Sequence, residues 1–285
     1  MLNPFVDYEF MRYALTSIVF LAIGTAPVGV FLMMRRMSLV GDALGHAILP
    51  GAAIGYMLAG LSLPAMSLGG FIAGLCMALL AGLASRFAHV KEDASFAAFF
   101  LTCLALGVVL VSKNGNSVDL LNLLFGSILA IDLPALTLVA LVSSFTLIVL
   151  AIIYRPLMME SVDPLFLRSV NGKGSLWHIL FLILVVLNLV AGFQALGTLM
   201  SVGLMMLPAI TARLWSKTMG WTMVLAAFLA GLCGFTGLLL SYYIDLPSGP
   251  AIILCCGLIY IISLFIGTEN GILWQLYRRS RHHVV

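Results

Sequence analysis

The chain has 285 residues, 62% of them hydrophobic and only 9% charged, with a net charge of +3. A soluble domain carries about 25% charged residues, so the composition excludes an ordinary soluble enzyme and requires a polytopic membrane protein. No nucleic-acid partner is expected.

In chain order, apolar stretches suited to membrane helices run over 13–34, 40–59, 63–84, 94–112, 133–154, 176–195, 197–213, 219–243 and 249–267. Most approach the ~20 residues that cross a ~30 Å hydrocarbon core. They predict an all-α fold of about nine transmembrane helices, or eight if the short 197–213 stretch is re-entrant. Residues 1–285 then form a single transmembrane domain with no room for a soluble catalytic domain, so any soluble partner is a separate polypeptide. The first stretch follows Asp7 and Glu9 instead of a basic cluster, and its apolar run is too long for a signal peptide. It is expected to remain in the mature protein. Cys76, Cys103, Cys233, Cys255 and Cys256 all fall within predicted helices without a C-x-x-C spacing, and read as small core residues. The segment 120–131 (LLNLLFGSILAI) is too short to span and is placed at the outer surface.

With Arg35-Arg36 in the cytoplasm and the spans alternating, Arg86, Lys91, Arg155, Arg168, Lys173, Arg213, Lys217, Arg278, Arg279 and Arg281 share their side. Of the 14 basic residues only Arg12 and Lys113 do not. This is the bias of the positive-inside rule for short loops. It predicts an odd number of spans, the N-terminus outside and the C-terminus cytoplasmic, with Asp119, Asp132 and Asp245 outside. The longest inward loop, about 155–175, contains Glu160-Ser161-Val162-Asp163-Pro164 and ends in Asn171-Gly172-Lys173-Gly174. Asp163 at a cap and Pro164 in the first turn can start a short helix that the glycines stop. A short helix along the membrane face fits, and so does an ordered connector.

Asp42 and His46 are the sharpest candidate site. At ~1.5 Å of rise per residue, a helix leaving the arginines lifts Asp42 by ~9 Å and His46 by ~15 Å, toward the middle of the hydrocarbon core. Their i, i+4 spacing puts both on one helix face, and carboxylate with imidazole is a competent donor set for zinc, manganese or iron. Two ligands are too few for a tight site; a second copy of the helix across a two-fold axis would bring four. Gly41, Gly45, Ala52 and Gly55 permit close backbone approach. The bland alternative has Asp42 capping the helix after Gly41 and His46 packing, but an Asp at a helix centre costs ~2.5–3.5 kcal/mol on insertion scales. An idle pair is therefore disfavoured. His89, His178, His282 and His283 suit solvated or interfacial roles, and the basic tail from Arg278 to His283 suits anionic headgroups. Gly197 to Pro208 (GTLMSVGLMMLP) can line a pathway or break locally, and Asp245 to Pro250 makes a rigid outer turn. The chain carries no G-x-x-x-x-G-K-[ST] loop, since Leu167 stands where the glycine upstream of Gly172-Lys173 would be, so it is not expected to hydrolyse ATP itself.

The stretch RRMSLVGDALGHAILPG (Arg35 to Gly51) resembles the metal-ion permease family of bacterial ABC importers, which take up zinc, manganese or iron. The likeness continues in the family's order through VDLLNLLFGSILA (Val118 to Ala130), the Asp163-Pro164 loop, GTLMSVGLMMLPAITA (Gly197 to Ala212) and DLPSGPAIIL (Asp245 to Leu254). The resemblance implies a type II ABC-importer-like permease in the bacterial cytoplasmic membrane. It also implies a second permease subunit, as a homodimer or a pseudo-symmetric pair, two cytoplasmic ATPase subunits that hold the ATP, and an extracytoplasmic metal-binding protein. The transported zinc, manganese or iron ion is cargo, and no permanently bound cofactor is expected. Asp42 and His46 match the family's intramembrane metal-coordinating Asp and His. Glu160, Asp163, Pro164 and Gly172 fall in the region matching the coupling helix that grips the ATPase; where the family usually has an aromatic residue before the Asp-Pro, this chain has Val162. A histidine-rich outer loop, which would argue for zinc, is absent.

Two rival readings of the residues are a gradient-driven secondary metal transporter or channel with Asp42 and His46 as a proton or ion relay, and a non-transporting receptor or scaffold with a structural polar pair. The loop assignment predicts that reversing the charge at Asp163 weakens stimulation of the ATPase while leaving metal affinity unchanged. Unchanged stimulation in an ATPase assay of the assembled complex would count against it.

Overall fold

Hydrocarbon offers no hydrogen-bond partner, so a chain this apolar must satisfy its backbone internally, and helices do so within one segment. The computed structural model describes residues 5, 8–35, 37–60, 62–87, 92–113, 131–162, 174–269 and 271–272. Among these residues it has nine α-helices: α1 (Glu9–Met34), α2 (Ser38–Ala59), α3 (Leu63–Phe87), α4 (Glu92–Lys113), α5 (Leu133–Val162), α6 (Gly174–Leu196), α7 (Thr198–Arg213), α8 (Met219–Ile244) and α9 (Ser248–Ile266). Residues 120–130 of the segment expected at the outer surface, the basic tail, and Asp163, Pro164 and Gly172 lie outside the described residues.

Six helices, α1, α3, α5, α6, α8 and α9, are long and apolar enough to cross a membrane by length and composition. The helix over the short 197–213 stretch is α7, 16 residues long, which at ~1.5 Å per residue spans only ~24 Å. Gly197 lies between α6 and α7 with φ 83, a conformation open to glycine at little cost. A single residue thereby reverses the chain, and α7 folds back on α6 with Ser201 against Gly192.

The residues 155–162, expected to begin the inward loop, instead continue α5 through Pro156 to Val162. Membrane helices tolerate proline where neighbours satisfy the freed backbone groups, and here the extension is also held by its side chains. Leu157 is buried in the core, and Glu160 and Ser161 bind Arg35 at the end of α1.

Burial is uneven among the helices. In their most apolar windows α1 and α6 are 72% buried, whereas α3, α5 and α9 are 28% buried and α8 33%. The first two therefore form the centre and the others turn a broad apolar face outward to lipid or to another subunit. Two hydrophobic clusters divide the core along its length. One gathers the C-terminal half of α1 with α2, α3 and the adjoining halves of α5, α6 and α7. The second gathers the opposite half of α1 with α8, α9 and the start of α7. Inside the bundle Asn188 of α6 donates to the Thr146 hydroxyl of α5 at 2.7 Å, the kind of interhelical bond that averages ~0.6 kcal/mol in a membrane.

Helix α2 lies close to its neighbours because small residues face them. A Cβ added to Gly51 would strike the Gly69 carbonyl of α3, and one added to Gly69 would strike the Gly51 carbonyl. Overpacking such a contact costs ~1–3 kcal/mol. Gly51→Leu is accordingly expected to lower the melting temperature of the purified protein in detergent. Gly231→Ala, where nothing stands within 4 Å of an added Cβ, should leave it unchanged or raise it.

Candidate metal-binding site

The short turn from α1 into α2 is closed by Arg35 N–H donating to Phe31 O at 3.1 Å and Met37 N–H to Leu32 O at 2.9 Å. From there the first two-thirds of α2 is closely packed, while its last turns, from Ile54 on, are largely exposed. Between residues 39 and 53 every position is buried except Leu39, Asp42 and His46. Their i, i+3, i+7 spacing is one helical stripe, so the two polar side chains stand on the one open line of this stretch of α2.

That line faces a cavity of about 340 Å³ bounded by Asp42 and His46 on α2, by Thr198, Leu199, Val202 and Gly203 on α7, and by Ile253 on α9. Gly41 and Gly45 let α7 come close: a Cβ on Gly41 would meet the ends of Met205 and Met206, and one on Gly45 would meet Val202. The Asp42 side chain is 54% exposed and that of His46 24%, with His46 Nε2 3.7 Å from Asp42 Oδ1. This exceeds hydrogen-bond length and leaves both atoms able to face a common ion. The imidazole is held by an edge contact to Phe100 of α4 at 5.1 Å between ring centres. Its Nδ1 is buried with no hydrogen-bond partner among the described residues, so Nε2 is the nitrogen presented to the cavity side.

At this cleft the described residues bring Asp42 and His46 together without a third metal-capable side chain. No cluster of three or more His, Cys, Asp or Glu able to hold a metal occurs among the described residues. Reasoning from the sequence missed the apolar walls Val202 and Ile253 and the roof at Thr198. The glycine-rich run from Gly197 was the one signal pointing to α7.

Of the sequence-derived coupling residues, only Glu160 lies among the described residues. Glu160 is not a free loop carboxylate: its Oε2 accepts from Arg35 Nη2 at 2.7 Å, with the two side chains 12% and 7% exposed. His178, placed at the inner end of α6, joins them, its Nδ1 3.1 Å from Arg35 Nη1.

Packed apolar helices around a polar pair on an open cleft define a polytopic membrane permease. The chain belongs to the ABC 3 transport family, whose model matches residues 7–267. It is 32% identical over 286 residues to the manganese import system permease protein ScaB of Streptococcus parasanguinis, covering 99% of this chain and 98% of that one. It is 30% identical over 280 residues to the manganese transport system membrane protein MntC of Halalkalibacterium halodurans, covering 98% and 94%. Its fold matches a chain in the solved structure of PsaBC from Streptococcus pneumoniae in complex with Fab, with TM-score 0.85, 28% identity and coverage of 94% and 96%.

Asp42→Ala and His46→Ala are each expected to weaken manganese binding to the purified protein by more than about tenfold, or ~1.4 kcal/mol. Calorimetric titration showing unchanged affinity in both variants would remove the pair from the site.

Proposed function

We propose that this chain is the membrane-spanning subunit of an ATP-driven importer of a divalent transition metal ion, with Asp42 and His46 receiving the ion inside the membrane. The observation that carries the reading is the open Asp42/His46 stripe on the otherwise buried 39–53 stretch of α2, facing the cleft against α7. Its family membership and the names of its relatives support the same reading, and those names favour manganese among the metals that an oxygen and nitrogen donor set admits.

Two donors hold an ion too weakly for retention, and transport benefits from that weakness, because a site that binds too well cannot unload. A second permease subunit, an identical copy in the simplest assembly, would place another Asp and His across the path. Asp42 must be deprotonated and His46 neutral to bind. A water takes up about 30 Å³ of liquid, so the cleft can accept an ion with several of its waters while Leu199, Val202 and Ile253 keep the rest of the wall apolar.

The expected assembly has two cytoplasmic ATPase subunits against the inward side and an extracytoplasmic binding protein that delivers the ion. The charge bias orients the chain with its N-terminus outside and its C-terminus cytoplasmic. ATP-driven closure of the partners, passed through the loop containing Asp163, Pro164 and Gly172, would open the path alternately to each side.

Copurification from the native membrane should bring down a nucleotide-binding subunit, and its absence would sink the ATP-driven reading in favour of a gradient-driven carrier. Uptake of radioactive manganese by cells is expected to fall to background in Asp42→Ala and His46→Ala with membrane assembly intact. Competition by iron and zinc in the same assay ranks the cargo.

A further inference from the structure

The inner ends of three helices meet at one buried cation. Arg35, the residue that ends α1, donates from Nη2 to Glu160 Oε2 at 2.7 Å and from Nε to Ser161 Oγ at 3.3 Å. Its Nη1 lies 3.1 Å from His178 Nδ1, and its guanidinium carbon sits 4.8 Å from the centre of the Phe181 ring. Arginine has no acceptor, so in this contact it is the donor, and His178 Nδ1 also lies 3.8 Å from Glu160 Oε1. Phe31 of α1 closes the base, edge-on to Phe181 at 6.0 Å and to Tyr154 at 5.9 Å.

The partners of Arg35 are not a random set. Glu160 and Ser161 lie within the last three residues of α5, immediately before the segment that connects α5 to α6, and His178 and Phe181 lie in the first turns of α6, immediately after it. Arg35 thus ties both stems of that connection to the end of α1. Two residues later the chain reaches the buried Met37, and then enters α2, where Asp42 and His46 stand seven and eleven positions beyond Arg35. Burying an ion pair is poor value for stability, since apolar residues of similar volume often serve as well or better. A planar fork with several fixed donors serves instead to hold several elements in one geometry.

We propose that Arg35 is the positioning residue that couples the α5–α6 stems to the metal-binding pair: it makes the stems and the start of α2 move as one body, so that displacement at the inward face reorients Asp42 and His46. This rests on the import reading above. Neither Arg35 nor Glu160 touches the ion. Their loss should therefore uncouple metal movement from ATP hydrolysis without changing the affinity of the pair.

The test uses the complete transporter with its ATPase in liposomes, supplied with manganese on its binding protein. Arg35→Gln and Glu160→Gln should assemble, bind manganese with near wild-type affinity and hydrolyse ATP at the basal rate. Ions imported per ATP should drop about tenfold, within the range by which residues along a coupling route act. The double variant Arg35→Glu with Glu160→Arg should recover part of the loss. If Arg35→Gln fails to assemble, Arg35→Lys is read in its place, since it keeps the charge but cannot make the fork. A normal ratio of ions to ATP in the assembled variant, or a loss of uptake matched by an equal loss of affinity, overturns the proposal. Asp42→Ala in the same liposomes separates the two readings. Persistent uptake in Asp42→Ala defeats the import role of the pair, whereas its abolition beside normal coupling in Arg35→Gln defeats only the clasp.

Discussion

Hydrocarbon can neither donate nor accept a hydrogen bond, and the arrangement of polar groups in this chain follows from that single constraint. Backbone groups are paired within helices, and several hydroxyls bond back to a carbonyl one turn earlier, as those of Thr25, Ser201 and Thr211 do. Charged side chains have fewer solutions. Arg35 and Glu160 solve the problem by meeting each other. Asp42 solves it by remaining open to a cleft, where water or a cation can reach it. Over residues 39–53 the result is one open stripe carrying Asp42 and His46 on a helix whose glycines pack closely against α7 and α3.

The same constraint separates the tasks of the helices. The central α1 and α6 carry the packing, each 72% buried in its most apolar window. The cleft forms instead where α7 is short and doubles back at Gly197, so that its first turns and Ile253 of α9 stand opposite α2. Close approach there depends on Gly41, Gly45 and Gly203, each of which faces a side chain of the neighbouring helix. Small residues in a membrane helix set the distance at which backbones meet, and that distance sets the width of the cleft. Movement at the inward ends would reach the pair through the turn between α1 and α2, which is only a few residues long.

The helices were legible in the residue order because crossing a membrane is a local property of ~20 apolar residues. The observed ends of α2, α6, α8 and α9 fall within two residues of the expected stretches. The end of α5 was not legible: Arg155-Pro156 reads as a boundary, yet the helix runs on to Val162 because Glu160 finds its partner 125 positions away. That Asp42 and His46 share a helix face was legible from their i, i+4 spacing, and the structure sets the two side chains 3.7 Å apart. His178 was read as interfacial, and only its contact with Arg35 shows what it does there.

By itself the sequence determined an all-helical membrane protein, the shared helix face of Asp42 and His46, and through five ordered blocks a resemblance that the family match bears out. Those properties reside in runs and spacings within single segments. Only the tertiary structure decided which wall the pair faces, that the described residues bring no third metal-capable side chain to the cleft, and that Arg35, Glu160 and His178 form one cluster. These depend on contacts between helices far apart in the chain, and neither hydropathy nor periodicity records which side chains such helices bring face to face.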